Sequence, residues 1–212
     1  MPFSERGLFI ALEGGEGAGK STQVQLLERW LRDAGHDVVL TREPGGTAVG
    51  AALRGILLDP QTGHLSPRTE ALVYAADRAE HVGTLIRPAL DAGRIVITDR
   101  YVDSTLAYQG AGRSLEADDL EHLVRLATGN LRPHLTVVLD IDPRDGLARA
   151  GDHDRIEAEP LDFHLRVRSE FLRLAAREPE RYAVVSATSD PDTTHAAVRA
   201  AVEPLLELVV TR

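Results

Sequence analysis

The run Gly14 to Ser21 (GGEGAGKS) has the residue types and spacing to hold a chain of phosphates. In the pattern GxxxxGK[ST], the small residues Gly14, Gly15, Gly17, Ala18 and Gly19 let backbone N–H groups turn inward around phosphate oxygens that larger side chains would exclude. Lys20 then reaches the β- and γ-phosphates, and the Ser21 hydroxyl becomes a ligand for Mg²⁺. Thr22 falls in the first turn of a following helix whose positive end faces the anion. Lys20 is the single lysine among 24 Lys and Arg residues, a compact ammonium kept where a planar guanidinium would not fit.

Such a loop works only between a strand and a helix, and the flanking sequence predicts both. Residues 8 to 13 are an apolar run of buried-strand type. Residues 20 to 34 repeat with helical period, placing Val24, Leu27, Trp30 and Leu31 on one face, with Gly35 beyond the end. Further strands are expected at 38–41, 95–99, 136–140 and 182–186. Helices are expected from Thr47, as N-cap, to Leu58, from Ser66-Pro67 to about Ala92 with a bend near Pro88, and over 115–128, 162–177 and 193–209. Glu70 reads as a first-turn charge of the second of these helices. The alternating order implies an α/β protein with a parallel sheet covered by helices on both faces.

The length of 212 residues suits one domain with a full hydrophobic core. The absence of cysteine excludes disulfides and thiolate metal sites and fits a reducing cytoplasm. A net charge of -9 argues against a nucleic-acid or anionic-membrane surface, and no apolar run approaches the roughly 20 residues that span a bilayer. A cytoplasmic, soluble protein is expected. One segment, 144–160, mixes charges of both signs around Gly151, as a lid over a phosphate site would. Its cluster Asp152-His153-Asp154 reads as solvated rather than as a metal site.

With Gly14–Ser21, the run TREPGGT (41–47), Ala75-Ala76-Asp77-Arg78 and DRYVDSTLAYQG (99–110) placed, the chain resembles the thymidylate kinases over nearly its whole length. The resemblance implies a P-loop NTPase fold with a five-stranded parallel sheet, a lid over about 144–160, a homodimer, and phosphoryl transfer from ATP with Mg²⁺ to dTMP. By the same resemblance Arg100 lies between the donor and acceptor phosphates, Asp99 orients Mg²⁺ or its waters, and Arg42 contacts the dTMP phosphate. Glu16 meets the sugar 3′-hydroxyl, Tyr74 stacks on thymine, and Arg78 donates to its O4. Tyr108 stands near the deoxyribose, with Thr105 and Gln109 in the same pocket. The lid departs from the arginine-rich pattern of many bacterial members: Arg149 and Arg155 are the arginines left in its middle, and Arg155 is expected to make the transition-state contact.

Two other readings share the phosphate loop. A kinase for another nucleoside monophosphate or a deoxynucleoside would differ in its base contacts. A P-loop regulatory ATPase or switch would need no second phosphorylated substrate, and arginines spread over several strand-to-helix loops suit two such substrates better. No NKxD run for guanine recognition is present.

Overall fold

The structure, a computed structural model, describes residues 6–149 and 154–210. Five parallel strands, β1 (Leu8–Gly14), β2 (Val38–Arg42), β3 (Ile95–Asp99), β4 (Leu135–Asp140) and β5 (Tyr182–Ser186), form one sheet in the order β2-β3-β1-β4-β5. Between and after them run α1 (Lys20–Asp33), α2 (Ala48–Leu58), α3 (Pro67–His81), α4 (Arg87–Asp91), α5 (Val102–Thr105), α6 (Ala117–Thr128), α7 (Pro143–Arg149), α8 (Leu161–Arg177) and α9 (Pro191–Val210).

Alternation along the central strand builds both halves of the core. Leu8, Ile10 and Leu12 pack with Leu27 and Leu31 of α1 and Val198 and Val202 of α9. Phe9 and Ala11 face the other way, onto Val82, Ile86, Leu90 and Tyr101. By the same alternation Glu13 points to that second face, fully buried at the end of β1. The ligand crevice of such a sheet lies beyond the carboxyl ends of its strands, and here β1 leads into the phosphate loop there.

The predicted caps are present: Thr47 accepts from the Gly50 N–H and Ser66 from the Thr69 N–H. Three segments differ from expectation. The long helix after Ser66 does not simply bend at Pro88; a π-helical turn, Val82–Ile86, intervenes and leaves Pro88 in the first turn of α4, where its missing N–H costs little. The stretch after Tyr101 is helical, α5 running into a second π-helical segment, Leu106–Gly112, although its Ser, Thr and Gly content hides any helical signal. The expected lid begins as a helix, because Asp142 Oδ1 accepts from the Arg144 N–H just before Pro143 opens α7. Among the described residues no helix is long and apolar enough to cross a membrane.

Candidate active site

The loop between β1 and α1 reverses tightly, with φ of 137° at Gly14, 65° at Gly17 and 83° at Gly19. A Cβ on Gly17 would stand 1.9 Å from the Gly146 carbonyl oxygen, so α7 rests backbone to backbone on the loop. The first turn of α1 has no side-chain cap, which leaves its N–H groups free for an anion. Ala18 packs down into the core, while Glu16, Gly17, Gly19, Lys20, Ser21 and Thr22 line a cleft of about 440 Å³. Lys20 Nζ donates to Gly14 O at 3.1 Å and Gly15 O at 2.7 Å. An ammonium has three donors, so one remains for a ligand. Burial and the Arg100 charge push the Lys20 pKa down, and Glu16, Asp99 and Glu13 pull against them.

Across the loop, β3 delivers Asp99 and Arg100. The β1–β3 register sets Asp99 beside Leu12, and Ser21 Oγ donates to Asp99 Oδ2 at 3.0 Å. A hydroxyl and a carboxylate together at a phosphate loop fit Mg²⁺, which takes few protein ligands and completes its shell with phosphate oxygens and water. Arg100 has φ of 69°, a left-handed backbone that is uncommon away from glycine. That turn sends its side chain over the loop: Nη1 donates to Gly14 O and Ser104 Oγ, and Nη2 to Glu16 Oε1 at 2.7 Å. The Arg100 guanidinium also lies over the Tyr108 ring, 5.0 Å from its centroid.

Two carboxylates near this arginine are shifted in opposite directions. Burial opposes the charge of Glu16, but Arg100, Lys20 and the Tyr108 hydroxyl at 2.7 Å hold its pKa down at about 2. Glu13 is driven up to about 7 by burial and by the Asp103 charge. Its oxygens accept from the N–H groups of Tyr101 and Ser104 and from the Ser104 hydroxyl, which ties the turn after Arg100 to the end of β1.

The third wall comes from the turn after β2. Arg42 is exposed on the cleft and unpaired among the described residues. Arg54 of α2 lines the cleft too, donating to Pro44 O at 2.9 Å. Burial and the charge of Arg42 both push the Arg54 pKa down, so an anion seated between the two guanidinium groups would relieve them. Sequence reasoning missed Arg54; its signal was there, as the only charged residue in α2.

Helix α3 supplies the far end. Tyr74, Thr105 and Gln109 line the cleft as expected, and burial with the Glu70 charge raises the Tyr74 pKa. Arg78 is not on the lining. It lies beneath Thr105, 2 % exposed, donating from Nε to Glu43 Oε2 at 2.7 Å, from Nη1 to Thr105 Oγ1 at 2.8 Å and from Nη2 to Tyr101 O at 2.9 Å. A charge this deep needs a buried partner, and Glu43 provides it. Glu43 in turn binds His81 Nδ1 at 2.9 Å, and His81 Nε2 meets Thr41 Oγ1 at 2.7 Å. A carboxylate accepts only, which makes Nδ1 the protonated nitrogen of this histidine.

The two lid arginines stand in different surroundings. Arg149, the last residue of α7, lines the cleft and donates to Ala187 O at 2.9 Å. Arg155 does not line it: Nε donates to Leu57 O at 2.8 Å and Nη2 pairs with Glu70 Oε2 at 2.5 Å. Burying Glu70 completely requires cations beside it, and Arg155 and Arg113 are the two that reach it. Glu70 is the expected first-turn charge of α3, turned inward. The middle of the expected lid, with Asp152 and His153, lies outside the described residues.

A phosphate loop, a hydroxyl–carboxylate pair and arginines converging from two further strand ends define a P-loop phosphotransferase of the nucleoside monophosphate kinase class. Residues 12–198 match the sequence model of the family described as thymidylate kinase, and the chain belongs to that family. It is 52% identical over 204 residues to the thymidylate kinase of Clavibacter michiganensis, covering 94% of this chain and 96% of that protein. It is 53% identical over 203 residues to that of Synechococcus sp. strain JA-2-3B'a(2-13), with 95% and 97% covered. The crystal structure of thymidylate kinase from Ehrlichia chaffeensis superposes with a TM-score of 0.79 at 32% identity, covering 93% of this chain and 99% of that one. Neither the switch reading nor that of a kinase with another base preference is favoured by these relatives.

Proposed function

We propose that this chain acts as one catalytic unit that transfers the γ-phosphoryl group of ATP to the phosphate of dTMP, giving dTDP and ADP for dTTP synthesis. The observation that carries the reading is one cleft lined by Lys20 and the phosphate loop together with Arg42, Arg54 and Arg100. An oxygen of the acceptor phosphate attacks the γ-phosphorus, the bond from that phosphorus to the β–γ bridging oxygen breaks, and the electron pair leaves on ADP. Lys20 uses its remaining donor on the phosphates. Arg100, braced by Gly14, Ser104 and Glu16, follows negative charge as it moves between donor and acceptor. Mg²⁺ held by Ser21 and Asp99 would neutralise charge on the β- and γ-oxygens. Arg149 closes the cleft from α7 as the lid arginine.

On the acceptor side Glu16 presents an ionised oxygen to the sugar 3′-hydroxyl, with Tyr108 against the deoxyribose and Tyr74 against the base. Arg78 keeps unused N–H groups on Nη1 and Nη2 and serves the base O4 from below Thr105. The exposed apolar residues Val49, Ile56 and Leu72 on the packed pair α2 and α3 support a homodimer through that face, and the absence of cysteine suits the cytoplasm. A panel of nucleoside monophosphates with ATP and Mg²⁺, assayed for diphosphate product, tests the reading. Production of dTDP in clear preference to dCDP, AMP-derived ADP and GDP is expected; ATP hydrolysis with no diphosphate product would sink it.

A further inference from the structure

Glu70 is fully buried in the first turn of α3, one helical turn below Tyr74. Donors from three other places converge on its carboxylate. Gln109 Nε2 reaches Oε1 at 2.9 Å, Arg113 Nε and Nη2 lie at 3.2 and 3.3 Å, and Arg155 Nη2 lies 2.5 Å from Oε2. Burial weighs against the charge, yet Arg113, Gln109 and Arg155 together hold the carboxyl below its ordinary value, so it is ionised at neutral pH.

An ionised carboxylate only accepts, whereas a side-chain amide can present either its oxygen or its NH₂ group to a given neighbour. Next to Glu70 the choice is forced, because an amide oxygen turned inward would face the carboxylate lone pair to lone pair. The opposite end of the Gln109 amide, Oε1, has no hydrogen-bond partner among the described residues, and the side chain borders the cleft beside Thr105. Oε1 is thus an acceptor left open at the cleft, where a ligand can bring it a donor.

We propose that Glu70 is a specificity-determining positioning residue, which locks the Gln109 amide with Nε2 inward and Oε1 toward the cleft and so admits bases that carry a donor at that edge. The proposal rests on the dTMP reading above and extends it to base selection. Thymine brings the N3–H between its two carbonyls. Cytosine brings a bare N3 lone pair, which meets the locked Oε1 acceptor to acceptor. The opposite polarity is supplied by Arg78, whose N–H groups suit the O4 of thymine and oppose the N4 amino group of cytosine. A pyrimidine is thus read by one fixed acceptor and one fixed donor, each held by its own buried carboxylate, Glu70 and Glu43.

The test is kcat/KM for dTMP and for dCMP in wild type, Glu70→Gln and Gln109→Leu, with KM for ATP measured alongside. A glutamine at 70 can offer either end of its own amide, so Gln109 becomes free to turn over and accept cytosine. The dTMP/dCMP preference is then expected to fall by about tenfold or more in Glu70→Gln, with KM for ATP unchanged. Gln109→Leu is expected to reduce the preference to a similar level, and combining the two to reduce it no further. A mere loosening of the fold would lower both rates together and leave the ratio alone. A folded Glu70→Gln with the wild-type ratio overturns the proposal. If that variant does not fold, an unchanged ratio in Gln109→Leu does so by itself. A wild-type protein that fails to phosphorylate dTMP overturns the underlying reading instead.

Discussion

The phosphate loop and the base end of the cleft differ in how far along the chain their parts are drawn from. The loop is the continuous run from Gly14 to Ser21, and its working groups are backbone N–H donors and one lysine held by two loop carbonyls. The end proposed for the base is assembled from Glu43 after β2, Glu70, Tyr74 and Arg78 on α3, Thr105 and Gln109 after β3, and Arg113 and Arg155 behind them. A triphosphate tail is the same in every nucleoside triphosphate, so a local backbone shape recognises it. A base edge is a pattern of donors and acceptors, which only side chains fixed by buried partners can match. The loop reaches toward that end through Glu16, which pairs with Arg100 and accepts from Tyr108, the neighbour of Gln109.

The sharpest way to break the comparison is at Arg78. Arg78→Ala leaves Glu43 buried without its cation, which should cost about 3 to 5 kcal/mol of stability, read as a lowered unfolding midpoint in denaturant. An unchanged midpoint would mean that the base end is not organised around this pair. Next comes Lys20. A guanidinium cannot enter a space closed by Gly14 O and Gly15 O, so Lys20→Arg should lose turnover nearly as severely as Lys20→Ala, about 10² to 10³ in kcat, with the fold intact by circular dichroism.

A smaller effect separates the two lid arginines. Arg149→Ala should lower kcat by about tenfold or more with little change in KM for dTMP, as for a contact made mainly in the transition state. Arg155→Ala should instead lower stability and disturb dTMP binding through Glu70. The reverse pattern in steady-state kinetics would restore Arg155 to the reacting groups. The smallest effect concerns pH. Glu13 binds its proton more tightly folded, with a pKa near 7 against an ordinary 4.5, so its stabilising contribution is full below about 4.5 and is lost as pH rises toward 7. Glu13→Gln should flatten the fall in stability across that window in denaturant titrations, and an unaltered slope would place the titration elsewhere. Glu16, with its pKa near 2, behaves oppositely: its contribution is full above 4.5 and fades only as pH falls toward 2.

Most of the scaffold was legible in the sequence, because apolar runs and helical periods are local signals. The strand and helix carrying the phosphate loop, the caps at Thr47 and Ser66, and the acidic end of β3 all stand where residue type and spacing put them. The helical stretch from Val102 to Gly112 was hidden by its Ser, Thr and Gly, and α7 by a charge mixture that reads equally as loop.

The sequence by itself determined the loop that we propose holds the phosphate chain, since a run of glycines ending in Lys-Ser acts through its own backbone and needs little else. What tertiary structure alone decided is the state of each buried charge. Glu70 is fully buried beside two arginines, Arg78 is paired to Glu43, and Arg155 pairs with Glu70 while Arg149 lines the cleft. Each of these partners lies at least 35 residues away, and the cost of burying a charge depends on what stands beside it in space, which spacing along the chain does not encode.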